Sequence, residues 1–188
     1  MDSNIKMMIA AQKAHVGSFK SSSMGRLFDA VSALLGVCSY NTYEGECAVN
    51  LEKCAHSLLE EGLEDYPEFE FKSSALDGEI IFDQMNLFKD IYMCYNTKAY
   101  DVKASAYGFH MAIVKMIVEA FKGLKGKMGT DTVCLSGGVF NNRIILGRAI
   151  EALTDNDFKV YWNKKVPLGD GGISLGQAYY AMLKGIEN

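Results

Sequence analysis

The chain has 188 residues, of which 49% are hydrophobic and 22% are charged, and its net charge is −4. This is the composition of an ordinary globular protein with enough apolar side chains for a core, so we expect one domain or two small lobes. The acidic balance argues against a sequence-independent grip on nucleic acid, and the lack of a long apolar run argues against a membrane protein.

The five cysteines are an odd number and include no C-x-x-C pair, which argues against a structural zinc site or a disulfide framework. We therefore expect reduced thiols and a cytoplasmic location. Cys47 and Cys54 lie two turns apart on one face of a predicted helix, so we interpret them as packing residues.

Three helices are predicted in the first third of the chain. Residues 3–14 form a short helix with an irregular apolar face. Ser22 or Ser23 caps the second helix, in which apolar residues recur at helical spacing up to a stop at Gly36. The third helix covers about 43–61, with its apolar residues again on one face.

The rest of the chain is predicted to alternate strands and helices. The predicted elements are strand 68–72, strand 79–82 after a loop containing Asp77 and Gly78, helix 83–94, helix 101–124, strand 132–135, a helix from Val139, strand 158–162 and helix 173–183. This order predicts an α/β fold with a mixed sheet flanked by helices, parallel in its second half. We expect a helical segment, residues 1–66, and an α/β lobe, residues 67–188, within one compact unit.

Residues 131–142 form the most informative stretch, because a β-branched and apolar strand is broken by a Ser-Gly-Gly turn and followed by a helix. Glycines let the backbone approach a ligand, and the unpaired N–H groups of a helix start favour an anion such as phosphate. The amides of Asn141 and Asn142 add donors and acceptors for a ribose or a base. A Gly-Gly turn is also a common structural feature, so both interpretations stand.

Three other polar features each allow a structural and a functional interpretation. Asp170 precedes two glycines at a predicted helix start, where a carboxylate either caps the helix or faces a metal–phosphate group. Arg26 and Asp29 form either a surface i, i+3 ion pair or a ligand-facing polar pair. His110 lies in an apolar helix with no second ligand at i+3 or i+4, so we interpret it as a satisfied core histidine.

Four motifs occur in a fixed order along the chain. They are S-S-S-M-G-R-L-F-D-A at 21–30, Y-E-G-E at 43–46, L-S-G-G-V-F-N-N-R at 135–143 and G-D-G-G-I-S-L-G-Q-A at 169–178. Together they resemble the C-terminal part of the HypF family of NiFe-hydrogenase maturation carbamoyltransferases, over roughly residues 15–185 of this chain.

The resemblance implies one lobe, mainly the second, of the actin-like and sugar-kinase-like (ribonuclease H-like, ASKHA) ATPase fold, in which the nucleotide lies between two lobes. It also implies that the first and third motifs face ATP or carbamoyl-adenylate. The implied nucleotide-binding residues are Ser22, Gly25, Asp29, Ser136, Gly137, Gly138 and Asn141.

The metal site implied by the resemblance is incomplete in this chain. Asp170 matches an aspartate that joins two histidines of the first lobe in holding a divalent metal (iron, zinc or magnesium). The H-x-x-x-H pair has no match, because His15, His56 and His110 lack that spacing. We therefore expect a metal shared with a missing lobe, and a fragment or split protein that is inactive alone.

The implied reaction begins with carbamoyl phosphate and ATP, which form carbamoyl-adenylate. The carbamoyl group then passes to the C-terminal cysteine of a HypE-like protein, on the way to the cyanide ligand of the hydrogenase. Because the partner brings the thiol, no nucleophile of this chain is needed. The implied partners are the HypE-like protein, the missing N-terminal part and a second copy in a homodimer, whereas neither nucleic acid nor membrane is expected.

Two other functions stay open. One is an enzyme of the same fold that transfers threonylcarbamoyl to tRNA, although the segments 26–29 and 170–172 look closer to the hydrogenase branch. The other is a non-catalytic module that docks the HypE-like protein or a dimer partner. RNA binding would identify the first, and partner binding without nucleotide binding would identify the second.

Overall fold

The computed structural model describes residues 3–17, 21–63, 65–76 and 79–186. The helices in these ranges are α1 (Ser3–Lys13), α2 (Met24–Leu34), α3 (Glu46–Glu60), α4 (Gln84–Thr97), α5 (Val102–Met128), α6 (Arg143–Thr154) and α7 (Ile173–Ile186). The strands are β1 (Lys72–Leu76), β2 (Glu79–Asp83), β3 (Thr132–Leu135) and β4 (Lys159–Trp162). Short 3-10 turns cover Gly138–Asn141 and Asp170–Gly172. The α/β class is confirmed, while the predicted loop at Asp77 and Gly78 lies outside the described residues.

Helix α2 begins and ends close to where the sequence predicts. Ser23, rather than Ser22, is its N-cap, and the Ser23 hydroxyl accepts a hydrogen bond from the Arg26 N–H at 3.5 Å. Gly36 follows the helix with φ of 70°, a backbone conformation that glycine adopts without strain. The buried leucine, phenylalanine and valine side chains of α2 pack against α3 and α5 in one hydrophobic core.

The 27-residue helix α5 is the axis of that core. Asp101 caps its first turn, with Oδ1 accepting from the Ala104 N–H at 2.7 Å. The helix continues past the predicted end at Leu124, because one internal glycine, Gly126, costs a helix only about 1 kcal/mol. It ends at Gly129, where φ is 63°. Residues 104–110 of this helix are all buried, since α3, α4 and α6 contact it.

The predicted strand 68–72 is wrong in position. Residues 65–71 pair with no strand among the described residues, and the first strand is β1, which starts at Lys72. The alternation that led to the prediction is present, because Phe69 and Phe71 are buried while the charged residues between and beside them are exposed. A chain that packs one face on a helix therefore shows the same two-residue period as a paired strand.

The described strands form two separate two-stranded sheets rather than one mixed sheet. β1 and β2 pair antiparallel, whereas β3 and β4 pair parallel, with Leu135 opposite Trp162. Both sheets pack on α5: Ile80 of β2 contacts Gly123, and Phe121 packs against the cluster around β3 and β4. The predicted parallel pairing is confirmed, but the two sheets share a helix and no strand edge.

Helix α6 begins at Arg143, not at Val139 as predicted. Residues 138–141 form a 3-10 turn, and Asn142 is the N-cap, with Oδ1 accepting from the Ile145 N–H at 3.0 Å. Val139 already packs against the core. The helical spacing of apolar residues therefore begins at Val139, four residues before the helix itself, and this is why the predicted start was too early.

The predicted division into residues 1–66 and 67–188 stays a prediction. One hydrophobic core includes residues of α2 and α3 on one side of this boundary and of α5 and α6 on the other. Helices α1 and α7 differ from the rest, since their apolar side chains, such as Met7 and Tyr180, are largely exposed. In the described ranges, no helix is both long enough and apolar enough to cross a membrane.

Gly108 in α5 should tolerate no side chain. A Cβ at this position would lie 2.4 Å from the Pro67 carbonyl oxygen and 3.3 Å from Cδ2 of Phe69. Because the closest atom belongs to the backbone, Gly108→Ala should lower the free energy of unfolding by about 2 kcal/mol, in spite of the higher helix propensity of alanine. Urea denaturation followed by circular dichroism measures this change.

The matched control is Gly126→Ala on the same helix, where nothing lies within 4 Å of the added Cβ. This substitution should raise the free energy of unfolding by up to about 1 kcal/mol, because alanine is the better helix former. Equal effects of the two substitutions would contradict the packing of residues 67–69 on α5.

Candidate functional site

A cleft of about 550 Å³ opens between α2 and α3 on one side and the two glycine turns on the other. Its volume lies within the range of small-molecule sites, roughly 300–1,000 Å³. The lining residues come from the first turns of α2 and α3, from the 3-10 turn 138–141, from the N-cap of α6 and from residues 169–170. Segments far apart in the sequence therefore meet in one concave surface.

Three α-helices start at this cleft. Gly25 lies in the first turn of α2, Gly45 is the N-cap of α3, and Asn142 is the N-cap of α6. The first N–H groups of a helix have no acceptor within it, and partial positive charge accumulates at that end. A helix start in the cleft therefore favours an anionic ligand wherever its N–H groups are not already bonded within the chain.

The two glycine turns are joined to each other. The Leu168 carbonyl accepts from the Gly137 N–H at 2.8 Å and from the Ser136 hydroxyl at 3.3 Å. Gly169 packs so closely that a Cβ there would lie 3.2 Å from Nδ2 of Asn141 and 3.3 Å from Cα of Gly138. The turn after β3 and the segment after β4 are therefore held against each other, as expected of adjacent parallel strands.

The start of α6 is occupied by groups of the chain itself. Asn142 Oδ1 accepts from the Ile145 N–H, and Glu52 Oε1 of α3 accepts from the Arg143 N–H at 2.7 Å. The prediction that this helix start is open to phosphate is therefore wrong. The N–H groups left for a ligand belong to the 3-10 turn that begins at Gly138 and to the first turn of α2.

His110 of α5 is hydrogen-bonded to Asn142, the N-cap residue of α6. Its Nδ1 lies 2.7 Å from the Ala106 carbonyl oxygen, which can only accept, so Nδ1 carries the proton. Nε2 then accepts from Nδ2 of Asn142 at 2.9 Å, which leaves Asn142 Oδ1 to cap the helix. The ring is fully buried, and this burial lowers the pKa of His110 to about 4, so the ring is neutral. The interpretation as a satisfied core histidine is confirmed.

The same imidazole contacts the opposite wall of the cleft. The ring of Phe28 meets the His110 ring edge-on, with 5.4 Å between centroids. Phe28 and Asn142 both line the cleft. One buried side chain of α5 therefore fixes the distance between α2 and the start of α6.

Carboxylates supply the side-chain charge of the cleft. Glu44, Glu52 and Asp170 line it, whereas no lysine or arginine does among the residues that the structure describes. A phosphate bound here needs the helix starts, and a cation that it brings with it, to offset these negative charges.

The residues that the structure describes do not complete the metal site predicted around Asp170. The described part of the chain contains no group of three or more His, Cys, Asp or Glu that could hold a metal ion. Asp170 can therefore supply one ligand only. Magnesium that arrives with a nucleotide needs one or two carboxylates, because the phosphates supply further ligands.

Four of the eight predicted site residues line the cleft. These are Gly25, Gly138, Asn141 and Asp170. Ser136 and Gly137 lie behind the turn and connect it to Leu168, and Ser22 is an exposed neighbour of the actual cap.

The eighth residue, Asp29, follows Gly25 by one turn on the same face of α2. One of its carboxylate oxygens is buried and has no hydrogen-bond partner among the described residues. Such an oxygen costs roughly 1–3 kcal/mol, and a hydroxyl group of a ligand would remove that cost. Asp29 itself does not line the cleft, so its predicted contact with a nucleotide stays a prediction.

The site also contains residues that the sequence reasoning did not select: Glu44, Gly45, Glu52 and Gly169. The Y-E-G-E motif carries the signal for the first two, because a glycine between carboxylates at a helix start is unusual. Glu52 has no local signal, since the N–H that it binds lies 91 residues further along the chain.

A second cavity of about 440 Å³ lies among α3, α5 and α6. Arg148 lines it, but its guanidinium is paired with Glu151 at 2.9 Å. No helix start or glycine turn faces this cavity. The cleft at the glycine turns is therefore the better candidate for a functional site.

Comparison with known proteins identifies a family. The family model described as "Carbamoyltransferase, Kae1-like Domain, second subdomain" matches residues 2–177. The probable carbamoyltransferase HypF of Methanocaldococcus jannaschii is 32% identical over 87% of this chain and 20% of its own length. Carbamoyltransferase HypF of Synechocystis is 32% identical over 84% of this chain and 19% of its own length. The chain thus spans about a fifth of the length of these relatives.

Two solved structures are similar to this one. A crystal structure of full-length HypF in the phosphate- and nucleotide-bound form superposes with a TM-score of 0.82 at 33% identity, over 96% of this chain and 23% of that one. The HypF of T. kodakarensis gives a TM-score of 0.77 at 25% identity, over 96% of this chain and 22% of that one. The α/β architecture described above is therefore the architecture of a part of HypF.

The neutral state of His110 makes the stability of the chain sensitive to acid. The folded pKa of about 4 lies below the unfolded value of 6.5, so below pH 6.5 the unfolded chain takes up a proton that the folded chain does not. The free energy of unfolding should therefore fall by about 3 kcal/mol as the pH falls from 6.5 to 4 on account of this residue. Urea denaturation at successive pH values measures the slope.

His110→Gln removes this titration and should flatten the slope relative to the wild type. Ile113→Val is the matched control, because it destabilises the same buried part of α5 by about 1 kcal/mol and keeps the histidine. It should lower stability equally at every pH. Parallel curves for the wild type and His110→Gln between pH 6.5 and 4.5 would contradict a buried neutral imidazole.

Proposed function

We propose, since the chain belongs to the HypF carbamoyltransferase family, that its cleft binds the nucleotide of a carbamoyl-adenylate and forms one half of the carbamoyl-transfer site. The observation that carries this proposal is the convergence of helix starts and two joined glycine turns on one cleft of about 550 Å³. The similarity to a part of a full-length HypF that was solved in a phosphate- and nucleotide-bound form adds support. The chain acts as the second lobe of an ASKHA fold, and the nucleotide lies between the two lobes.

The phosphate oxygens are held by backbone N–H groups. The donors are those of the 3-10 turn that begins at Gly138 and of the first turn of α2, around Gly25. A side chain at either glycine would occupy the space that a phosphate needs. Ser136 and Gly137 contribute indirectly, because their bonds to the Leu168 carbonyl fix the turn.

The ribose and base are held by side chains. The exposed amide of Asn141 faces the cleft and offers both a donor and an acceptor. Asp29 accepts from a ribose hydroxyl, which satisfies its orphaned oxygen. Ser22, next to the cap of α2, adds a hydroxyl at the mouth of the cleft.

Asp170 supplies one ligand to a divalent metal (iron, zinc or magnesium) whose other ligands come from the first lobe. The described residues do not complete such a site by themselves. The chain's own contribution is a carboxylate at the mouth of the phosphate site.

The group transfer is an acyl transfer from a mixed anhydride to a thiolate. A C–S bond forms between the carbamoyl carbon and the C-terminal cysteine of a HypE-like protein, and the bond from that carbon to the phosphate oxygen breaks. AMP leaves with the electron pair, and the thiol proton passes to solvent. N–H groups that hold the phosphate stabilise the charge that develops on it, which is how this lobe accelerates the step.

The exposed apolar surface of α7 is the proposed contact with the rest of the longer protein. The exposed apolar residues of α7, among them Leu175, Tyr179 and Tyr180, pack against the first lobe of the longer protein. A homodimer through the same helix is the competing arrangement. The molar mass of the chain in solution, measured by light scattering, separates the two, because only the homodimer doubles it.

Isothermal titration calorimetry with Mg-ATP tests the nucleotide site. The wild type should bind, and Asn141→Ala should bind at least about tenfold more weakly, because a lost pair of amide hydrogen bonds is worth about 1.4 kcal/mol. Asn163→Ala is the control, since this exposed asparagine lies outside the cleft, and it should bind like the wild type. Asp170→Asn should weaken the binding of Mg-ATP, because a metal ligand is lost, and strengthen that of metal-free ATP, because a negative charge beside the phosphates is removed.

Binding that is insensitive to Asn141→Ala would place the nucleotide elsewhere. No heat of binding from a chain shown to be folded by circular dichroism would overturn the proposal. The function that then remains is a docking module that serves a partner without holding the nucleotide.

A further inference from the structure

Two of the five cysteines lie in contact beside the cleft. Cys38 follows the end of α2, and Cys47 lies in the first turn of α3. Their Sγ atoms are 2.7 Å apart. At this separation the Cys47 thiol donates a hydrogen bond to Cys38 Sγ, so the two free thiols are in direct contact. The two thiols are therefore already aligned side by side.

Both cysteines are held in place by their own backbones. The Cys47 N–H donates to Oδ1 of Asn41 at 2.7 Å, and the Cys38 N–H donates to the carbonyl of Ser32. The segment between them is tied down as well, since the Glu46 carboxylate accepts from the N–H and the hydroxyl of Thr42. The position of the backbone at Cys38 and Cys47 therefore places the two sulfur atoms side by side.

The other cysteines lack such a neighbour. Cys94 has the Ser105 hydroxyl beside its sulfur, at 3.6 Å. Cys134 is exposed on β3, and Cys54 is half-buried on α3. Because an intramolecular disulfide needs two neighbouring thiols, Cys38 and Cys47 are the pair that an oxidant would link.

We propose that Cys38 and Cys47 are a redox-active dithiol that small disulfides such as oxidised glutathione convert to an intramolecular disulfide. The Cys38 thiolate attacks one sulfur of the glutathione disulfide, and the first glutathione thiolate leaves. The Cys47 thiolate then attacks Cys38 Sγ and the second glutathione thiolate leaves. The two glutathione thiolates take up, through solvent, the two protons that the cysteine thiols lost. The two electrons lost by the cysteines are taken up by the glutathione disulfide, which becomes two thiols.

Accessibility sets the order of the two steps. Cys38 is half-buried and open to a reagent, whereas Cys47 is buried. Burial, together with the adjacent Cys38 and the nearby carboxylates of Asp29 and Glu46, raises the pKa of Cys47 to about 11, so this thiol is a poor first nucleophile. Its place against Cys38 compensates in the second step, which is intramolecular. The second step should accelerate as the pH rises.

The disulfide would act on the wall of the cleft. The segment between the two cysteines carries Glu44 and Gly45, which line the cleft. A covalent link between Cys38 and Cys47 restrains this segment and thereby changes the affinity for a bound nucleotide. This consequence rests on the proposed function, whereas the disulfide itself does not.

Titration with mixtures of reduced and oxidised glutathione, followed by maleimide alkylation and intact mass, tests the proposal. The oxidised wild type should be lighter by two hydrogen atoms and carry three maleimides instead of five, because two of its five cysteines are linked. Peptide mapping without reduction should place the link between Cys38 and Cys47. Cys134→Ser is the control and should form the same link.

Single variants separate the two steps. Cys47→Ala should accumulate glutathione on Cys38, because no thiol displaces it. Cys38→Ser should take up no glutathione at position 47, since that sulfur is buried. A wild type in which Cys134 is oxidised first, or in which the glutathione adduct on Cys38 persists, would overturn the proposal.

Mg-ATP binding by the oxidised and reduced chains tests the consequence. At least a threefold difference in affinity is expected. Equal Mg-ATP affinities of the two forms would show that the disulfide does not regulate nucleotide binding. If neither form binds ATP while the link forms, the proposed function fails and the redox pair stands.

Discussion

The neutral imidazole of His110 is the contact on which the cleft depends. It joins three elements that share no sequence neighbourhood: its own helix α5, through the Ala106 carbonyl, helix α6, through the Asn142 amide, and helix α2, through the ring of Phe28. A charged or absent ring would free the Asn142 side chain, and the cap of α6 would be lost with it. The turn that precedes this cap would then lose its fixed end.

The cleft combines two opposite electrostatic features. Helix starts bring partial positive charge from the backbone, while Glu44, Glu52 and Asp170 bring full negative charges from side chains. The Glu52 carboxylate accepts a hydrogen bond from the Arg143 N–H, so the partial positive charge at the start of α6 is already offset by a side chain of the protein. This balance suits a phosphate that arrives with a metal cation better than a free anion.

The redox pair and the nucleotide site share one wall. Cys38 and Cys47 bracket the segment that carries Glu44 and Gly45 into the cleft. A disulfide between the two cysteines joins both ends of this segment and is therefore placed to alter the wall of the cleft. The oxidation state of a half-buried surface thiol is thus coupled to a site that contains no cysteine.

Much of this structure could be predicted locally. Helix α2 with its serine cap, helix α5 and the parallel strands followed by glycine turns all follow from the spacing of apolar residues and the placement of Ser, Asp and Gly. The start of α6 could not, because Val139 is apolar and continues the helical period through a 3-10 turn. The strand at 68–72 failed for a related reason, since an extended segment packed on α5 has the period of a strand.

The composition of the site was predictable in part. Motifs single out Gly25, Gly138, Asn141 and Asp170 because they use glycine, amide and carboxylate groups at strand ends or helix starts. Glu52 and His110 act through contacts with residues 91 and 32 positions away, and no local pattern reports such a distance. The approach of Cys38 to Cys47 was hidden for the same reason, since their spacing matches no thiol motif.

The central claim is that the nucleotide occupies the cleft at the two glycine turns. The most direct measurement is a titration of the ¹⁵N-labelled chain with Mg-ATP, followed through the amide signals of its glycines. The account predicts shifts for Gly25, Gly45, Gly138 and Gly169, which line the cleft, and none for Gly126, which lies far along α5. Shifts centred on the second cavity, around Arg148, or no shifts at all, would contradict it.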